Sequence, residues 1–343
     1  MKSFHFTGII GCVLFLSSCI KDKPPVDNTK VDLTSAGVYI VNEGNFQFGN
    51  ASVSYYNIAD NAVQEDLFKP ANNKSLGDVA QSMCIHNDKV YIVVNNSGKI
   101  EVADSKTFIS QGTVTGLTSP RYFVPISTTK GYVSDLLSNT ISIIDLAANA
   151  VTGSIPCTGW TEEMLVSGGK VFVCNKQRDK VYVINTTSDV ISDSISVGYG
   201  SNSIKEDKNG KLWVLCNGDD NLKKSAGLYR INPTSLQVEQ SFTFSSGSPW
   251  RLKINGSKDT LYYINNGVCV MSISSADLPA QSLIEEGNKK FYGLGIDPLS
   301  GVIYVADAMD YVQKSTVYRY QSNGTALSSF KSGIISSDFY FKP

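Results

Sequence analysis

Short apolar runs recur along the chain, each broken by a polar turn. The cadence is clearest in KVFVCNKQRDKVYVINTTSDVISDSISVG, residues 170–198. Strand-length runs rich in Val, Ile and Tyr and bounded by turn residues predict β-strands. No segment sustains a 3.6-residue apolar period, which excludes helical repeat arrays. An aromatic residue falls at one strand position seven times, at Tyr39, Tyr91, Tyr132, Phe172, Trp213, Tyr262 and Tyr304, at intervals of 52, 41, 40, 41, 49 and 42 residues. Three or four positions on comes Asn42, Asn95, Asp135, Asn175, Asn217, Asn265 or Asp307. Asn and Asp close strands because their side chains bond nearby backbone and tolerate turn conformations.

A second strand follows each time (SVSYYN, KIEVAD, TISIID, KVYVIN, GLYRIN, CVMSIS, TVYRYQ), then a weaker third. One further strand precedes six of the aromatics: QSMCI, RYFVPI, EMLVS, NSIKE, WRLKI and YGLGI. Four strands in each of seven units predict an all-β fold, a seven-bladed β-propeller. No usable strand precedes Tyr39; the missing one is found in GIISSDFYFKP, residues 333–343. If Ser336 to Phe341 supplies the inner strand of the first blade, the C-terminal strand closes the ring and removes an open sheet edge. Runs such as VYIVN and KVFVC are apolar throughout, as strands buried on both faces between blades would be.

The first residues read differently. MKSFHFTGIIGCVLFLSSCIKDKPP has a basic Lys2, an apolar core from Ile9 to Leu16, and the ending Leu-Ser-Ser-Cys. The apolar stretch is too short to span a bilayer and reads as a signal peptide over residues 1–18. The ending resembles a bacterial lipobox, which implies cleavage before Cys19 and acylation of its thiol and amino group, a durable membrane anchor. An ordinary secretory signal is the alternative. Residues 19–36 then form the lipidated cysteine and a polar, proline-containing tether, and 37–343 form a single propeller.

Composition adds limits. With 30 Lys and Arg against 31 Asp and Glu, the net charge of −1 excludes a general polyanion binder and leaves nucleic acid an unexpected partner. After the leader, five cysteines remain (Cys84, Cys157, Cys174, Cys216, Cys269), with no Cys-x-x-Cys pair, and His86 is the only histidine. That pattern does not build a zinc site. Buried free thiols are the expected state, with a Cys174–Cys216 bridge left open.

Loops leading into inner strands converge on one face of a propeller, and ligands sit there near the axis. Those loops read GLTSPRY (116–122), CTGWTEE (157–163), GYGSNS (198–203), SSGSPWR (245–251) and EGNKKFYG (286–293). They carry Arg121, Tyr122, Trp160, Glu162, Asn202, Trp250, Arg251 and Tyr292; Asn175 joins them from the turn NKQRD. Large amphipathic rings beside Arg, Asn and Glu suit a bulky, part-apolar ligand, since they combine contact area with orienting donors. Packing between neighbouring blades is the alternative role for either indole; for the Asn/Asp series as a whole turn capping is the expected role, with ligand contact the alternative. Glu162 and Glu163, as neighbours in a strand, are expected to point to opposite faces. His86 lies in the hairpin leading away from this face, and there is no nucleophile elbow, phosphate loop or Cys–His couple. An enzyme is not expected, nor a catalytic cofactor or metal.

The run VYIVNEGNFQFGNASVSYYN, with its Asn-Glu-Gly-Asn segment, resembles the opening blade of YncE-like surface-layer propellers, lipoproteins of Bacteroidetes. Within that group the chain looks most like surface-exposed cobalamin-binding propellers. The resemblance implies a lipid-anchored outer-membrane protein at the cell surface. It would bind a corrinoid, such as cobalamin or cobinamide, on its top face and pass it to a TonB-dependent outer-membrane transporter. The alternative is a non-catalytic propeller scaffold for a glycan, a peptide or single-stranded DNA. For DNA, Lys223, Lys224, Lys289, Lys290 and Arg178 would join Arg121 and Arg251 in a basic groove.

Overall fold

The computed structural model describes residues 35–342, together with Met1 and Leu33. The signal peptide, Cys19 and most of the tether expected from the sequence lie outside the described residues. Each repeat begins from the aromatic noted above. All seven aromatics are buried at the second or third position of a strand second from the axis, as Tyr39 is in Gly37–Asn42 and Phe172 in Lys170–Asn175. In five of the seven repeats the following strand ends in an Asn or Asp (Asn57, Asp104, Asp145, Asn185, Asn232) whose carboxyl or amide oxygen accepts two turn N–H groups. Asp104 accepts from Lys106 and Thr107 at 2.9 and 2.8 Å, and Asp145 from Ala147 and Ala148 at 2.8 and 3.0 Å. The repeated polar breaks in the sequence are these turns.

The strands form an all-β propeller, as expected, but not seven separate sheets. There are five four-stranded blades and one eight-stranded sheet. The last runs Ala326–Ile334, Lys314–Tyr320, Ile303–Asp307, Phe291–Ile296, Ser336–Lys342, Gly37–Asn42, Ser52–Asn57, Ala62–Gln64. Its two halves join through one parallel pair, Leu294 with Asp338. The physical reason lies in the glycines of FYGLGI. A Cβ on Gly293 would stand 2.7 Å from the Ser336 carbonyl oxygen, and one on Gly295 would stand 2.5 Å from the Phe339 Cβ. Without side chains there, the two strands approach to pairing distance and the boundary between them closes.

The C-terminal strand behaves as the sequence predicts. Ser336–Lys342 lies antiparallel to Gly37–Asn42, with Gly37 opposite Lys342 and Asn42 opposite Ser336. The innermost strands are Ala80–His86, Pro120–Pro125, Thr161–Ser167, Ser201–Glu206, Trp250–Ile254, Phe291–Ile296 and Ser336–Lys342. Each touches the next, and Ser336–Lys342 touches Ala80–His86, so the ring is closed. Buried apolar clusters fill the spaces between adjacent groups of strands. One joins Tyr39, Tyr55 and Phe68 to Ile92 and Phe108, and another joins Val38 and Tyr56 to Tyr304, Val317 and Phe339 across the two ends of the chain. All five cysteines of the described residues are free thiols; Cys174 and Cys216 share one cluster without a bridge, so the alternative left open by the sequence closes.

Candidate functional site

Near one end, every innermost strand holds one more residue than its partner. Trp250 and Lys253 face Ile264 and Tyr262, and Thr161 and Met164 face Asn175 and Val173. The same excess occurs after Ala80, Pro120, Ser201, Phe291 and Ser336. A bulge breaks the two-residue alternation and re-aims side chains. Here it turns Gln81, Arg121, Tyr122, Glu162, Glu163, Asn202, Arg251 and Tyr292 toward the axis, where they line a cavity of about 480 Å³.

Eight of the nine residues expected from sequence meet on this cavity: Arg121, Tyr122, Trp160, Glu162, Asn202, Trp250, Arg251 and Tyr292. Asn175 does not, and that expectation is corrected. Its side chain is buried, with its amide donating to the Thr158 carbonyl at 3.1 Å and its oxygen accepting the Gln177 N–H at 3.0 Å. It is a turn clamp. The expectation for Glu162 and Glu163 is corrected too, because the bulge between Thr161 and Met164 brings both carboxylates to the cavity wall. His86 lies at the far end of its strand, as the sequence suggests. Of the seven basic residues considered for a nucleic-acid groove, only Arg121 and Arg251 line the cavity.

The walls are charged and mostly paired. Arg121 grips Glu162 with two nitrogens, at 2.8 and 3.3 Å, and also donates to Gln81. Glu163 pairs with Lys205 and accepts the Ile204 N–H at 2.9 Å. Asp338 pairs with Lys253 and accepts from the Tyr340 hydroxyl at 3.1 Å. Glu43 accepts from the Tyr292 hydroxyl at 3.0 Å and meets Arg251 at 3.5 Å. Burial pushes the Glu43 carboxyl above its ordinary range, against the pull of Arg251 and Arg121.

Aromatic rings span the cavity and its rim. Trp250 stands edge-on to Tyr292 with ring centres 4.7 Å apart, and Tyr292 edge-on to Tyr311 at 5.9 Å. Trp250 also packs against the apolar cluster of Tyr262, Ile264 and Phe291, the packing role considered for it, while its ring lines the cavity. Trp160 carries the Lys176 ammonium 4.3 Å and the Arg121 guanidinium 5.3 Å from its ring centre. Beyond the mouth, Phe46 and Phe48 are 63 % and 76 % exposed, and Leu137 and Val312 are exposed on other loops of the same rim. Gln81, Lys253 and Asp338 escape the sequence reading because they lie inside strands, where only the bulge register reveals their direction. Glu43 and Lys176 sit in the turns NEGNFQFGN (42–50) and NKQRD (175–179), outside the incoming loops from which the site is read.

Residues 36–342 match a family described as a domain of unknown function, DUF5074. No curated protein sequence matches the chain. Among solved structures, a quinonprotein alcohol dehydrogenase-like protein from Bacteroides thetaiotaomicron superposes with a TM-score of 0.73 at 15 % identity, over 91 % of this chain and 79 % of that one. A putative 6-phosphogluconolactonase from Bacteroides fragilis gives 0.67 at 12 % identity, over 91 % and 99 %. Hydrazine synthase from Kuenenia stuttgartiensis gives 0.64 at 15 %, over 76 % and 88 %. At such identities the likeness is one of fold, and function must be argued from the site.

Proposed function

The chain belongs to the DUF5074 family, and from that premise we propose that it is a non-catalytic binding propeller whose axial cavity takes a corrinoid. We count the eight-stranded sheet as two blades, seven in all, because seven innermost strands surround the axis and each carries the same bulge. The observation that carries the reading is the convergence of Trp160 and Trp250, each with an arginine over its ring, on one cavity from different blades. Indole faces offer contact area to an apolar ring system, and Arg, Asn and Gln side chains match a fringe of amides. The cavity volume falls in the range of small-molecule sites. A corrinoid is larger, so it would seat one edge in the cavity and rest on the rim aromatics Phe46, Phe48 and Tyr311.

The resemblance of the opening blade to YncE-like propellers supports placement at the cell surface, anchored through Cys19, with delivery to a TonB-dependent outer-membrane transporter. Chain geometry is compatible. Gly37 begins its strand at the end remote from the bulges, so residues 35 and 36 enter the sheet on the side opposite the cavity mouth. Calorimetric titration of the full-length protein with cyanocobalamin tests the reading. Saturable heat is expected, and the double variant Trp160→Ala/Trp250→Ala is expected to weaken binding by about 30-fold or more, as loss of anchoring aromatics does. No heat and no thermal shift at micromolar ligand removes the corrinoid. Saturable binding of a glycan, peptide or oligonucleotide by the same protein then favours the scaffold alternative.

A further inference from the structure

The polar groups of the cavity are not evenly matched. Every carboxylate on its wall has a committed donor: Glu162 has Arg121, Glu163 has Lys205, Asp338 has Lys253, and Glu43 has Tyr292. The donors are not all committed. Lys176 makes no ion pair with a described carboxylate, and its ammonium rests on the Trp160 ring. The Trp160 indole N–H is buried without an acceptor, and so is the Nε–H of Arg251. Arg251 is only 9 % exposed, and its sole ion pair among the described residues is the 3.5 Å contact with Glu43.

Buried N–H groups without acceptors are destabilising, the more so when charged. Two further features mark the place. Arg251 adopts a left-handed backbone conformation, φ +59°, rare for a side chain of its size and typical of sites where strain is held for function. Burial holds the Lys176 ammonium below its ordinary range; Glu162 pulls the other way, and the nearby guanidiniums of Arg121 and Arg251 add to the lowering. A bound anion would accept from the unpaired donors and relieve the repulsion together.

We propose that Lys176, the Trp160 indole N–H and the Arg251 Nε–H form an anion seat on the cavity wall that takes a phosphate ester of the ligand. The identity of the ester rests on the corrinoid reading: in a cobalamin it is the phosphodiester of the nucleotide loop, which cobinamide lacks. The seat therefore makes the site select complete cobalamins over truncated corrinoids.

The test compares cyanocobalamin with dicyanocobinamide on the full-length protein, by calorimetry, for wild type, Lys176→Met and Lys176→Arg. Cyanocobalamin is expected to bind about 10-fold tighter, the scale of a charge-assisted hydrogen bond. Lys176→Met is expected to remove that preference by weakening cyanocobalamin alone, Lys176→Arg to restore it, and added salt to narrow it. Equal wild-type affinity for the two corrinoids, or equal loss of both in Lys176→Met, overturns the seat and leaves the corrinoid reading standing. If neither corrinoid binds, that reading falls, and inorganic pyrophosphate decides the seat. A rise in melting temperature that Lys176→Met abolishes supports it, and no rise overturns it.

Discussion

The buried pair between Asp338 and Lys253 offers a demanding test of how the ring is held. Asp338 sits in the bulge of the closing strand, 4 % exposed, and Lys253 reaches it from Trp250–Ile254, past the intervening strand Phe291–Ile296. Burial alone would raise the Asp338 carboxyl, but Lys253 and Arg251 hold it below the usual carboxylate range. Asp338→Asn keeps the shape and strands a buried ammonium. Removing one partner of such a pair costs about 3–5 kcal/mol. Unfolding entropy near 2.1 cal/mol/K per residue gives about 0.6 kcal/mol/K for a domain of this size, so the melting temperature should fall by about 5–8 °C. Lys253→Met should lose a similar amount. The double variant should lose much less than the sum, because a well-packed apolar pair replaces two buried charges. Calorimetry of the four proteins at neutral pH measures the cycle. A drop below about 1 °C for Asp338→Asn, or strict additivity in the double variant, would refute the view that this pair ties the closing strand across the axis.

Other outcomes follow from the same structure. Glu101 is fully buried and bonded to Lys74 and Lys99 at 3.0 Å and to Ser110 at 2.6 Å; these partners outweigh burial and lower its pKa. Because the folded value lies below the unfolded one, its stabilisation is present above pH ~4.3 and disappears as pH falls through the folded value. Urea midpoints of wild type should therefore fall on acidification more steeply than those of Glu101→Gln, and parallel curves would count against this. Phe339→Ala empties part of the cluster shared by the two chain ends and should cost about 3–5 kcal/mol by urea titration. Deleting residues 336–343 should leave Gly37–Asn42 with an unpaired edge, seen as soluble aggregates by light scattering and as rapid hydrogen exchange at Val38–Val41.

Much of the architecture is legible in the sequence because one signal repeats. An aromatic at a fixed strand position, then Asn or Asp, then a second apolar run, marks each group of strands, and the strand ends in the structure follow these marks closely. The closing strand is legible as well, since ring closure demands a strand that the first repeat lacks. The merger of two sheet halves is not, because it depends on what stands opposite Gly293 and Gly295. The site divides along the same line. Residues in incoming loops, such as Trp160 and Arg251, are found by position alone. Residues whose direction is set by strand register, such as Gln81, Glu163, Lys253 and Asp338, require knowledge of where pairing slips. A slip of one residue leaves no mark in polarity, so Glu163 looks outward in the sequence and faces the axis in the fold.

The seven bulges have a consequence for how such a protein can change. Below the slip, each strand remains locked in phase with its neighbours and its side chains belong to the wheel's structural spokes. Above it, the re-aimed residues answer to no neighbour across the sheet, only to the hub. A substitution at Gln81, Asn202 or Tyr292 therefore rewrites the lining, together with its partners across the hub, without disturbing the spokes. One scaffold can in this way acquire a different cavity lining by small edits while its rim stays sealed.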